Sequence, residues 1–378
     1  MSKAWTELSM YESVDLVKRS YKILHERQLN TERATEIVAH FSQGREYFLS
    51  AANAGPLVKP LLLYYGSLAL SRGAILILDG TIRACGLIQG HGLGNENWQG
   101  TISKGMDKIA ELPINAHAGT FLQLLEATGN STNCFVHAGN TPYRNHYLSA
   151  EWPIPQGGTT VATIRQIVAR LPQLHDLYMD VFDEFPHCYP AQVHVYKDSP
   201  GSVEIRFEKT RKGFPLPERL REDFSFLQEQ DFQQEYAAKT SYGYLDSYLA
   251  TAIPYLKESI EETQSPIDDK CLQTRIPCRD SFTEEKLPLM EIDDEYNQRH
   301  TYLVAPIDNH VFSKLALLFM LSYALGMLVR YYPTEWRSLA ARGTGDRFSP
   351  LVGASIELIE EQYPSLILDE LWGHHTSP

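Results

Sequence analysis

The sequence is poor in cysteine, in net positive charge and in long uncharged apolar runs, and each shortage excludes something. Its five cysteines (Cys85, Cys134, Cys188, Cys271 and Cys278) form no CxxC pair in 378 residues. That argues against a disulfide framework and for reduced thiols in a cytosolic protein. A formal net charge of −13 argues against a surface dedicated to nucleic-acid phosphates. The uncharged run Leu315–Val329 has 15 residues between Lys314 and Arg330. Crossing a bilayer takes roughly 20 apolar residues, so a buried core helix is expected there. The opening residues lack the apolar stretch of a signal peptide, and none is expected. No GxxxxGK[ST] or GxSxG is present, and no two histidines have the helical spacing that puts two metal ligands on one face. Neither a metal nor a cofactor is expected.

What is present is an ordinary globular composition, 43% hydrophobic and 21% charged, long enough for two domains. The organising stretch is Pro60–Leu78, apolar almost all round, which predicts a helix enclosed on nearly every side. Gly66 and Gly73 lie two turns apart on it and would let neighbouring helices approach closely. Before it, Tyr11–Glu26 has helical spacing, and Asn30-Thr31 offers a cap for a helix to about Ala54 that Gly44 is expected to end or kink. After it come a glycine-dense connection, Gly86–Gly100, and a short helix over Gly119–Ala127.

A long polar stretch up to Gly158 reads as a loop. Thr160 is expected to open a helix through Leu171, and Pro172 a second. Alternation over Ala191–Lys197 and Ser202–Lys209 predicts a β-hairpin with Val203, Ile205 and Phe207 on one face. Residues 258–294, rich in proline and acids, read as a connecting segment. A strand at His300–Ile307 leads to a long helix capped by Asp308 or Asn309 and stopped by Pro333. The last helix is expected to run through Tyr363, with a disordered tail. The expected fold is mainly α, a helical bundle with a small antiparallel β element inserted in the middle third. The domains expected are an N-terminal helical one (1–185), a hairpin-containing insertion (186–300) and C-terminal helices packing back on the core (301–378).

The densest polar constellation is His137, Asn140, Tyr143, Arg144 and His146. A histidine beside an arginine suits phosphodiester cleavage, one moving protons and the other holding charge in the transition state. The commoner meaning of such residues is loop groups making local hydrogen bonds. His91 is a third candidate catalytic residue; Asn140, Tyr143 and Arg330 are candidate substrate contacts. Arg330 ends the most apolar late helix, where a cation also simply complements the helix dipole. Lys209–Lys212 beside Phe214 is a basic, aromatic cluster that could touch RNA or be a solvated turn.

Three segments together resemble the YaaC-like proteins: KPLLLYYGSLALSRGAILI followed by HGL, then TTVATIRQIVARLPQLHDLY, and a late strand–helix ending LVRYYPTEW. The family supplies no activity to carry over. REYFLSAANAGPLVKPLLLYYGSLALSRGAIL followed by His-Gly is also similar to the helical core of HEPN-type domains, many of them metal-independent ribonucleases of prokaryotic toxins and anti-phage systems. Their motif is an arginine, then about four to six residues, then a histidine. Here Arg83 to His91 is too wide and Arg144 to His146 too tight. These likenesses imply a cytosolic prokaryotic accessory or interaction component of a defence or stress system, acting with a protein partner or as a homo-oligomer and off the membrane. The alternative they imply is a ribonuclease acting on RNA through Arg144, His146 and His91. A third reading is small-ligand sensing through Gly86–Gly100.

Overall fold

The computed structural model describes residues 3–138, 145–196, 202–228, 233–236, 239–240, 243–244, 270–277, 286–293, 299–340 and 346–376. The protein is mainly α. Its helices in chain order are α1 (Lys3–Leu8), α2 (Val14–His25), α3 (Thr31–Ala52), α4 (Lys59–Leu78), α5 (Trp98–Ile102), α6 (Thr120–Thr128), α7 (Ile164–Val168), α8 (His175–Phe182), α9 (Pro217–Asp223), α10 (Lys314–Tyr331), α11 (Pro333–Ala340) and α12 (Ser349–Thr376). Two compact units divide the chain. Unit 1 is Met1–Thr132, Glu151–Pro186 and Pro306–Pro378; unit 2 is Asn133–Ala150 and His187–Ala305.

Unit 1 is built around α4, as its composition requires. Helices α3, α6, α10 and α12 all pack on it, and only scattered positions along it reach solvent. The glycines set the spacing. A Cβ on Gly66 would stand 2.6 Å from Phe48 Cδ2, and one on Gly73 2.8 Å from Phe41 Cε2. Gly44 does not kink α3, which runs unbroken to Ala52. It receives Leu70 of α4 instead, whose Cδ2 lies 2.7 Å from where a Cβ would be. Both α4 and α10 are long and apolar enough to cross a membrane, yet their apolar windows are 67% and 83% buried inside the protein. Enclosed core helices pass the same test of length and composition.

Three local expectations give way to tertiary effects. The cap of α10 is Ser313, whose hydroxyl accepts from Ala316 N at 3.2 Å. Asp308 and Asn309 instead take left-handed backbone in the turn before it, a conformation asparagine and aspartate tolerate. Thr160 lies in a strand, β5 (Thr159–Thr163), because Pro113–Ala116 (β2) pairs with it and with β1 (Leu93–Gly94). The helix then starts at Ile164, capped by Thr163 with a reciprocal bond from Gln166. Finally, α12 continues through Pro364 to Thr376, carried by buried Ile367, Leu368 and Leu371, so the tail as far as Thr376 is helical.

Unit 2 is organised on the predicted hairpin, β6 (Cys188–Tyr196) and β7 (Ser202–Phe207). Val195 pairs with Val203, Val193 with Ile205 and Ala191 with Phe207, and all six are buried. The hairpin is the centre of an eight-stranded sheet. The long polar stretch contributes two of its strands, β3 (Ser131–Ala138) and β4 (Asn145–Glu151), with β3 parallel to the end of β6. Next come β8 (Gln233–Tyr236) and the short pair β9 (Lys239–Thr240) and β10 (Gly243–Tyr244), and residues 258–294 contribute β11 (Lys270–Pro277), which pairs with β7 and β8, and β12 (Leu289–Asp293). β13 (Arg299–Val304) joins β12 to β6. Leu220, Phe224 and Leu227, on and just after α9, close the core of the sheet.

Candidate functional site

Of the residues singled out from sequence, Asn140, Tyr143 and Arg144 lie outside the described residues. His146 lies in β4 of unit 2, and its side chain is outside the described residues too. His91 and Arg330 belong to unit 1, where the structure places them in one cluster with Tyr64, Tyr65 and Arg72 of α4, Tyr323 of α10, and Glu96 and His117.

Backbone geometry positions His91. Gly90 and Gly92 on either side of it have φ of 138° and 77°. Three consecutive carbonyls then dock on the start of α6 and the residues before it. Gly90 O accepts from Thr120 N at 3.2 Å, His91 O from Phe121 N at 3.0 Å, and Gly92 O from His117 N at 2.9 Å. A Cβ on Gly92 would lie 2.9 Å from backbone atoms of Gly119 and Phe121, so the glycine is required for this approach. The imidazole lies tilted against the Tyr323 ring, centroids 4.9 Å apart, and meets Tyr64 edge-on at 6.2 Å. Leu93 N donates to its Nδ1 at 3.2 Å. An accepting Nδ1 leaves the neutral ring's proton on Nε2.

The cations approach from two helices. Arg72 is the single charge in the body of α4; its Nε donates to Thr120 Oγ1 at 3.2 Å. Arg330, at the end of α10, donates to Tyr65 OH at 3.1 Å and lies over the Tyr331 ring at 5.0 Å. Burial lowers the pKa of His91, and Arg330, Arg72 and His117 lower it further, so the ring is neutral at neutral pH. Burial and the Arg72 guanidinium also push His40 down to about 4.

Tyr64 is 1% exposed, and among the described residues its hydroxyl has no hydrogen-bond partner. Its ring lies 5.7 Å from that of Tyr323, and Gly326 makes room for it, since a Cβ there would stand 2.8 Å from Tyr64 Cβ. A buried hydroxyl without a partner costs free energy, on the order of 1–3 kcal/mol. The cluster also has an anionic corner. Asn115 Nδ2 donates to Glu96 Oε2 at 2.5 Å and His117 Nε2 meets Oε1 at 2.8 Å. Thr160 Oγ1 in turn holds Asn115 Oδ1 at 2.6 Å. The Asn115 amide, ahead of His117, keeps the Glu96 carboxyl below its usual range. Chemically, this is a set of hydrogen-bond donors around a buried aromatic floor, with one fixed carboxylate at the edge.

Sequence reasoning named two members of this cluster and missed the rest. Arg72 had a signal, as the lone charge inside an otherwise apolar helix. Glu96 and His117 had none, because only the β1–β2 pairing brings them together.

Comparison with protein families matches residues 7–371 to the YaaC-like protein family. The match covers nearly the whole chain, and the chain belongs to that family. The matched family is the YaaC-like one and not a HEPN-type domain. No curated protein and no solved structure matches the chain.

Proposed function

We propose that this YaaC-like protein is a ligand-binding accessory component that takes a phosphate-type anion at the His91 cluster. The observation that carries this is the Tyr64 hydroxyl, buried without a partner beside an imidazole whose electrostatic neighbours include both Arg72 and Arg330. Two guanidiniums, the His91 Nε2–H and the Tyr64 hydroxyl are all donors an anion can use, and hydrogen bonds to a charged acceptor are the stronger kind. The tautomer favours binding over cleavage. With Nδ1 occupied by Leu93 N, His91 offers a donor and no bare nitrogen to act as a base. We assign the protein to the cytoplasm, working through a protein partner or a second copy; the burial of α4 and α10 supports its place off the membrane. The wider setting, a prokaryotic defence or stress system, rests on the segmental HEPN likeness alone.

Calorimetric titration of the full chain with inorganic phosphate tests the proposal. Saturable binding is expected, weakened tenfold or more in both Arg72→Gln and Arg330→Gln, as befits loss of a charged hydrogen bond. Absence of binding, or equal binding in both variants, overturns it. EDTA-resistant cleavage of RNA that His146→Ala abolishes would instead establish the ribonuclease reading.

A further inference from the structure

Resting on the anion site just proposed, we infer that the ligand is a ribonucleotide, its phosphate on the arginine side and its ribose cis-diol on Glu96. Glu96 is a mismatch in a site for an anion alone. A site for a bare anion gains nothing from a carboxylate, which repels a phosphate at close range. Yet Glu96 shares the cluster with the arginines. It hydrogen-bonds His117, whose backbone N–H docks on Gly92 O beside His91, and its own charge is felt at Tyr323, whose ring lies 4.9 Å from the His91 imidazole.

Nor is Glu96 a stray surface acid. Asn115, His117 and Thr160 hold it from β2, the residue after β2, and β5. A Cβ on Gly94 would collide with both of its carboxylate oxygens and with His117 Nε2, so the backbone at that point is kept bare to let the carboxylate lie across it. Asn115, His117 and the Glu96 backbone N–H take three positions on the carboxylate, whose two oxygens have four acceptor positions between them. The side chain is 52% exposed. Glu96 therefore presents a fixed, partly filled acceptor pair toward solvent.

Donors on one side and a fixed acceptor on the other fit a ligand that carries an anion and a pair of hydroxyls. A carboxylate bound to ribose hydroxyls is the standard complement to a phosphate held by donors. A planar base has a partner as well. Tyr331 is 54% exposed next to Arg330, whose guanidinium lies over its ring. Aromatic and guanidinium faces are where bases stack. No bond is made or broken in this proposal; it concerns recognition only.

The test is competitive calorimetry of the full chain with three probes: inorganic phosphate, adenosine monophosphate, and its 2′,3′-dideoxy analogue. We expect the monophosphate to bind at least tenfold tighter than phosphate, and the dideoxy analogue to lose most of that gain. In Glu96→Gln, phosphate is expected to bind several-fold tighter, because the repulsion is gone, while the preference for the diol disappears. A merely structural Glu96 would not move the two probes in opposite directions. The ligand-side change needs no variant, so a misfolded Glu96→Gln does not shelter the inference. Equal affinity for the ribo and dideoxy forms overturns it while leaving the anion site intact. Failure of phosphate itself to bind overturns the reading beneath it.

Discussion

At the scale of single residues, the cluster is built from groups that cost stability. The Tyr64 hydroxyl is the clearest. Removing a buried, unsatisfied donor relieves its desolvation penalty, so Tyr64→Phe is expected to raise stability by about 1 kcal/mol and to weaken phosphate binding. Urea unfolding of apoprotein and calorimetry on the same preparation check both halves; a variant both less stable and equally tight would count against the assignment. His40 makes a pH prediction. Its folded pKa, about 4, is below the value of about 6.5 for an unfolded histidine. Between those limits the unfolded chain binds more protons, so stability falls as pH falls from about 6.5 toward about 4. His40→Gln is expected to flatten that part of the profile, read from urea midpoints at several pH values. A profile of unchanged slope would contradict the lowered pKa of His40.

At the scale of elements, close approach and capping set the positions of α4 and α10. Alanine at Gly66 would gain helix propensity, roughly 1 kcal/mol. Against that, its methyl must displace the ring of Phe48, which is 4% exposed, and overpacking of this kind costs about 1–3 kcal/mol. The packing cost is the larger, so Gly66→Ala is expected to lower the thermal midpoint; a rise would show that α3 and α4 are not in register as described.

Asn130 is a second test. Fully buried, it donates to Val311 O at 2.8 Å and accepts from Ser313 N at 2.9 Å, fastening the start of α10. Asn130→Ala strands both backbone groups and is expected to cost about 2 kcal/mol or more in a denaturant titration; a cost near zero would mean that α10 is not anchored there. The elements themselves were unevenly legible. The enclosed α4, the Asn30 cap and the β6–β7 hairpin follow from local composition and period. The strand at Thr160, the start of α10 at Ser313 and the run of α12 past Pro364 do not, because each depends on a partner far away in sequence.

At the scale of the whole molecule, the same division holds for the candidate site. His91 and Arg330 stood out as polar residues in unusual settings, but Arg72, Glu96, His117 and Tyr323 join them only when α4, α10 and the β1–β2 pair are assembled. No local pattern records that assembly. The central claim is that unit 1 gathers donors around an anion. It is tested most directly by a crystal structure of the full chain grown with saturating phosphate. A phosphate is expected within hydrogen-bond reach of His91 Nε2 and the Arg330 guanidinium, with Leu93 N still donating to Nδ1. A cluster without phosphate at saturation, or an imidazole turned so that Nε2 faces Leu93, would contradict it.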